Sequence, residues 1–363
     1  MPSDEAQHTF VRRTSKTKIL RLRPRGPEKR AANKKPRGRK LRMTASGENG
    51  SRALIRKASL LLSALALLTL CLVPALRAAQ AERAIIVREA YIYLSPDATS
   101  VRMANLARGR EVAILEQSRE WLHITQVDGN VTGWIIDKGV VRTSTPEGDK
   151  IVFGAAADSE AEASQRYGRK GADKDAMRLY RRMAEYFPQS PLAGEALYRA
   201  ADIRWQLDAL DVNTRPSARE RNPLLRAQIE EDWMREVIKK FPGTKWADLA
   251  AYHLIENKVC GDWAGDTKCP EKETELYEKY ARERPQSPKV AEALYQAAWQ
   301  QAALIQMYKD EGNAGRSSTA KNKAAALARQ IASQFAQTDW GARAQTLLYL
   351  IEQDIPTYGN TIQ

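Results

Sequence analysis

Tyr186-Phe-Pro-Gln-Ser-Pro-Leu-Ala193, Lys240-Phe-Pro-Gly-Thr-Lys-Trp-Ala247, Glu283-Arg-Pro-Gln-Ser-Pro-Lys-Val290 and Gln334-Phe-Ala-Gln-Thr-Asp-Trp-Gly341 are four versions of one phrase. In each, an aromatic residue or Arg ends an apolar-periodic run. A Pro usually stops that run, and a Ser or Thr stands where a second helix would begin. Proline lacks the N–H that a continuing helix requires, a hydroxyl satisfies an orphan N–H at a helix start, and Pro fits the first helical position. The phrase therefore predicts a tight helix-turn-helix. Around the first copy, Ala176-Met-Arg-Leu-Tyr-Arg-Arg-Met-Ala184 precedes the turn and Gly194-Glu-Ala-Leu-Tyr-Arg-Ala-Ala-Asp202 follows it. Ala196, Ala200 and Ala201 are small enough to let paired helices approach closely. The copies are spaced 54, 43 and 51 residues apart, with the extra length in connectors at 211–216, 261–270 and 312–319.

A recurring phrase of this kind is the signature of a helical repeat array, although a regular tetratricopeptide unit has a period of about 34 residues. The turns resemble those of tetratricopeptide-like proteins of the cell envelope, the Tol-Pal coordinator and outer-membrane assembly lipoprotein families, whose hairpins carry a Tyr-Pro-x-Ser-Pro-x-Ala turn. The resemblance spans 172–353 and implies an all-α solenoid of four hairpins whose concave face holds a protein partner. Tyr198, Arg199, Trp205, Tyr252, Tyr295 and Trp299 are the candidates for that face. Aromatic residues at helical spacing equally serve to pack one hairpin on the next.

Residues 84–143 read differently. Ala84-Ile-Ile-Val87, Tyr91-Ile-Tyr-Leu94, Glu111-Val-Ala-Ile-Leu115, Trp121-Leu-His-Ile-Thr125 and Gly133-Trp-Ile-Ile136 are β-branched and aromatic runs separated by turn residues, and Val140-Val141 ends the unit. Asp128-Gly129 suits a hairpin turn with positive φ. About five short strands in ~60 residues are too few for a sandwich and predict a small closed barrel. Leu106-Ala-Arg-Gly109, Trp121 and the Gly133-Trp134 pair resemble the bacterial SH3-like family, whose relatives in cell-wall enzymes hold peptidoglycan or peptide stems. Tyr91, Tyr93, Trp121 and Trp134 are candidates for a ligand face, while Trp121 and Trp134 are also suited to fill the barrel interior. His123 alternates with Leu122 and Ile124 and is expected to face solvent.

The net charge of +14 suggests a nucleic-acid partner until it is located. Residues 1–57 hold 18 Lys and Arg against 4 Asp and Glu, and the remainder is balanced at 40 of each sign. The excess therefore belongs to a Pro- and Lys-rich arm, 1–51, expected to be disordered, and not to a folded basic surface. No nucleic-acid partner is implied. Met43 offers an alternative start, so residues 1–42 read either as an upstream-start artefact or as a cytoplasmic extension.

Residues 52–81 form a three-part export signal: Arg52, Arg56 and Lys57, then an uncharged apolar stretch 58–76, then Ala79-Gln80-Ala81. The same stretch reaches the lower limit of a membrane-spanning length, so an uncleaved inner-membrane anchor is the alternative. Either way, the residues after 82 are expected on the outer side, in the periplasm or an equivalent envelope compartment.

Cys260 and Cys269 are the two cysteines after the signal, and an oxidising compartment predicts that they pair. No metal set, phosphate loop, dinucleotide fingerprint or acid–base constellation accompanies them, so no cofactor and no catalytic residue is expected. The expected organisation is the arm, the signal or anchor, the barrel at 84–143, a linker at 144–171, four hairpins at 172–353 and a tail at 354–363. The function implied is a non-enzymatic exported adaptor. The alternatives are a membrane-anchored envelope protein and an accessory or regulator of a peptidoglycan hydrolase. Edman sequencing of the exported protein should begin at Glu82, whereas recovery of residues 58–76 in the mature chain would identify an anchor.

Overall fold

The computed structural model describes residues 81–358. The expected arm (1–51) and the signal or anchor with Ala79 lie outside the described residues, apart from Ala81. Among the described residues a seven-stranded antiparallel sheet is followed by nine α-helices.

The strands are β1 (Glu82–Ile86), β2 (Ala90–Tyr93), β3 (Arg102–Leu106), β4 (Glu111–Ser118), β5 (Trp121–Gln126), β6 (Thr132–Ile136) and β7 (Val140–Arg142), in the order β3-β2-β6-β5-β4-β1-β7. Alternation sends Ile92, Val112, Leu122, Ile124 and Ile135 to a common buried side, together with Ala84, Ile86 and Leu106. Two strands exceed the five main runs read from the sequence. β3 (Arg-Met-Ala-Asn-Leu) has no β-branched residue to announce it, and β7 is the short Val140-Val141 ending. Gly129 does not take a positive φ. The β5–β6 loop spans 127–131, closed by Gln126 N–H donating to the Val131 carbonyl at 3.0 Å, and a loop of that length needs no left-handed residue at 129.

The helices are α1 (Gly148–Ser164), α2 (Ala172–Tyr186), α3 (Ala193–Asn213), α4 (Asp232–Lys240), α5 (Lys245–Glu256), α6 (Lys268–Glu283), α7 (Val290–Asp310), α8 (Ala314–Gln334) and α9 (Asp339–Glu352). The segment 144–171, expected as a linker, is mostly α1, which packs along α2 through Val152 and Ala156. Its buried face is Gly148, Val152, Ala156 and Ser159, mostly small residues, so its apolar contrast is weak. The connector expected at 312–319 is likewise almost all helix, because the Asn313 side chain accepts the Arg316 N–H and starts α8.

All four phrases lie between helices, joining α2 to α3, α4 to α5, α6 to α7 and α8 to α9. Their backbones repeat. Phe187, Phe241, Arg284 and Phe335 end the first helices with φ of −124°, −127°, −134° and −124°. Each N–H still closes a helical bond, to Met183, Val237, Tyr280 and Ile331, at 2.9–3.0 Å. Where Pro follows, ψ is 58°, 54° and 59°; where Ala336 follows, it relaxes to 30°. That difference is the proline ring excluding its predecessor from the helical region.

Three residues on, Ser190, Thr244, Ser287 and Thr338 donate their N–H back to the carbonyls of Phe187, Phe241, Arg284 and Phe335. Thr244 and Thr338 then cap α5 and α9 directly, accepting from Ala247 and Gly341. Ser190 and Ser287 do not cap α3 and α7. Each accepts from the residue two positions on, Leu192 or Lys289, because Ser-Pro adds a tight turn before the helix starts. Nine residues past each helix-ending residue stands a fully buried alanine: Ala196, Ala250, Ala293 and Ala344.

The sheet is fixed to α1 and α2. Buried Glu111 of β4 accepts a hydrogen bond from the Tyr186 hydroxyl at 2.6 Å and pairs with Arg83 and Arg182, each at 3.2 Å. Arg178 donates to the Arg108 carbonyl at 3.2 Å, and Arg108 donates to Ser159 at 3.2 Å. Between these lies Gly109, at φ +75°, where an added Cβ would stand 2.5 Å from the Arg178 Cβ. Gly171 has a similar φ of +85° with nothing within 4 Å of its Cβ position. Gly171→Ala should therefore lose about 1–2 kcal/mol from left-handed strain alone. Gly109→Ala should lose measurably more, because the helix must also move. Urea midpoints of the two variants check this.

Candidate functional site

The four candidates in the sheet come together on one surface. Opposed residues on antiparallel strands point to the same face, and Tyr93 pairs with Trp134, which pairs with His123. Tyr91 and Trp121 lie two residues from Tyr93 and His123 on their strands, so all five share the face opposite the Ile92–Leu122–Ile124–Ile135 interior. Tyr93 and Trp121 form its buried floor, edge to face with centroids 5.5 Å apart. Trp134 is half-buried and stacks on His123 at 4.8 Å, with 21° between their planes. His123 therefore does not simply face solvent, and neither Trp fills the interior. The missed signal was the register that sets His123 beside Trp134. Tyr91 is exposed, with the Arg102 guanidinium of β3 4.4 Å from its ring centre. The exposed edges thus belong to Tyr91, Trp134 and His123, flanked by one cation.

The six repeat candidates do not form a single surface. Tyr198, Tyr252 and Tyr295 occupy the same place in three successive hairpins, eleven residues past the helix-ending residue. Each meets the residue that stands five positions into the next turn. Tyr198 stacks on Trp246 at 5.6 Å, the Lys289 ammonium lies 5.3 Å from the Tyr252 ring, and Tyr295 meets Trp340 at 5.3 Å. The three tyrosines bind one hairpin to the next. Trp205 is buried, donating its indole N–H to Glu256 at 2.8 Å, and Arg199 is engaged by Glu160 and Glu195. Trp299 packs 5.7 Å from Trp263 of the cysteine loop. Both the alanine and the tyrosine offsets are visible in the sequence once the turns are aligned.

A cavity of about 510 Å³ opens beside this ladder, among α3, α5, α6 and α7. Tyr198, Tyr252 and Tyr277 supply rings, and Asp202, Glu256 and Glu292 supply carboxylates. His253 Nε2 lies 3.1 Å from Asp202 and 3.3 Å from the Tyr198 hydroxyl. Lys289 pairs with Glu292 at 2.6 Å.

Cys260 and Cys269 are joined in a disulfide, with Cα atoms 5.9 Å apart. Its loop is organised by Glu273, whose carboxylate is buried and accepts from the Cys260 N–H at 2.9 Å, the Trp263 indole at 3.1 Å and the Gln300 amide at 2.7 Å. Burial pushes the Glu273 carboxyl above its usual range, against those donors. The start of the expected tail docks on the same loop, with Tyr358 stacked on Trp263 at 5.7 Å. Among the described residues no three metal-ligating side chains converge, and no helix is long and apolar enough to cross a membrane.

No family model matches the chain, and no curated protein does. Among solved structures it is similar to a chain described as "DHF79 filament", at 16% identity and a TM-score of 0.19, over 56% of this chain and 99% of that one. A likeness at that score carries no argument.

Burial pushes the Tyr277 and Tyr280 hydroxyls up to about 12 and raises those of Tyr198 and Tyr252 as well. An unfolded tyrosine titrates near ~10, so the unfolded chain releases these protons first. The stabilisation is complete below pH ~10 and is lost as pH rises from there towards 12. Urea unfolding should show stability falling steeply above pH 10. Phenolate absorbance appearing at pH 10 for all thirteen tyrosines in the folded protein would contradict it.

Proposed function

We propose that the chain is an exported, non-enzymatic adaptor. In this reading the sheet unit is an SH3-like barrel that grips an extended peptide or cell-wall strand, and the helices are a tetratricopeptide-like array that holds a protein partner. The carrying observation is the aromatic face of Tyr91, Tyr93, Trp121, His123 and Trp134. Flat rings with accessible edges beside Arg102 suit stacking on a peptide or sugar backbone that also offers acceptors or carboxylates. The clamp through Glu111, Arg182 and Tyr186 supports the adaptor role, because a ligand held on the sheet is carried at a set position relative to α1 and α2.

The export signal read at 52–81 supports a place in the cell envelope for this activity, with peptidoglycan or a peptide as the ligand of the barrel and no cofactor. Purified protein incubated with isolated peptidoglycan should sediment with it and release no soluble fragments. The double substitution Tyr91→Ala and Trp134→Ala should reduce the bound fraction about tenfold or more, as expected for loss of two stacking residues. Released muropeptides would overturn the non-enzymatic reading. Equal sedimentation of the double variant would remove the face as the ligand site.

A further inference from the structure

The cavity among α3, α5, α6 and α7 sets three ring hydroxyls among three carboxylates, one histidine and one lysine. Tyr198 Oη lies beside the Asp202–His253 pair, Tyr252 faces Glu292, and Glu256 reaches the same space from α5. Two of the three carboxylates have internal partners, since Asp202 meets His253 and Glu292 meets Lys289. Glu256 is different. Its carboxylate is engaged by the Trp205 indole N–H, a neutral donor, and its residue is exposed. Among the described residues it forms no ion pair.

Burial pushes the Tyr277 hydroxyl up to about 12, and the carboxylates of Glu273, which lies outside the cavity lining, then Glu292 and Glu256 add to it. The cavity volume of about 510 Å³ accommodates a long side chain rather than a single ion. Rings and an unneutralised carboxylate lining one such space can receive a cation on an apolar stem.

We propose that this cavity receives a lysine or arginine side chain from an extended segment of a partner protein, with the alkyl stem against Tyr277 and the charge at Glu256. The inference rests on the reading that the helices hold a protein partner, and it specifies the chemistry of that partner as basic. It also accounts for why the tyrosine ladder borders a polar space: rings that bind hairpin to hairpin present their remaining edges to the ligand.

The test uses the full exported chain and three probes: acetyl-Gly-Lys-Gly-amide, the same peptide acetylated on its ammonium, and acetyl-Gly-Glu-Gly-amide. Backbone amides of Tyr252, Glu256 and Tyr277 are followed by NMR during titration. The lysine peptide should shift them saturably, more weakly as salt is added, while the acetylated and acidic peptides should not. Glu256→Gln keeps an acceptor for the Trp205 indole and should weaken lysine-peptide binding about three- to tenfold with the unfolding midpoint unchanged. Equal shifts from the acetylated peptide, no shift at about 10 mM lysine peptide, or unchanged affinity in Glu256→Gln would each overturn the proposal. Crosslinked capture of an envelope protein on the helices separates the two levels. Capture without lysine-peptide binding removes the cavity and leaves the adaptor, and no capture removes the adaptor reading itself.

Discussion

The residue that ends each first helix is held between two demands. Its N–H must still complete the helical ladder behind it, and the ring of the following proline forbids it a helical ψ. Phe187, Phe241 and Arg284 resolve the conflict in the same way, within 10° in φ and 5° in ψ, and each chain reverses over the next five residues. Phe335, with Ala behind it, keeps the φ and loses the ψ, yet the reversal survives because Thr338 returns its N–H to the Phe335 carbonyl. Everything in the helical part follows from four equal reversals. They bury the same alanine each time, and in the first three hairpins they bring one tyrosine to the front of the next turn.

The ladder tolerates chemical variation because its geometry is fixed by the backbone. Tyr198 meets an indole, Tyr252 an ammonium and Tyr295 an indole again. A cation over a ring and a stacked ring contribute similar amounts, about 0.5–1.5 kcal/mol. At the third turn, Arg284 replaces the phenylalanine and reaches Asp248 of α5 at 2.5 Å, so a polar bond does there what aromatic packing does at the other turns.

The turns were legible because their chemistry is local: Pro, Ser and Thr act on their own backbone, and four copies make the pattern unmistakable. The disulfide was legible for a similar reason, since Cys260 and Cys269 lie close in sequence and the third cysteine, Cys71, is far from both. What escaped reading depended on partners far away in sequence. β3 has no propensity of its own and forms because β2 supplies the ladder. Helix α1 shows little apolar contrast because its buried side consists of Val152, Ala156 and Ser159 fitted against α2. For the aromatic face of the sheet, the sequence supplied the rings but not the register that makes Trp134 and His123 neighbours. For the helices it supplied the tyrosines, whose equivalence emerges only when the turns are superposed.

Amide hydrogen exchange, read peptide by peptide, tests the repeated turn most directly. The N–H groups of Phe187, Phe241, Arg284 and Phe335, and those of Ser190, Thr244, Ser287 and Thr338, all donate to backbone carbonyls of their own turn or the helix before it. The four turn segments should therefore exchange slowly, at rates close to one another and far below that of the irregular stretch 220–228. Turn segments that exchange as fast as that stretch, or one that differs sharply from the other three, would contradict a common reversal as the basis of the fold.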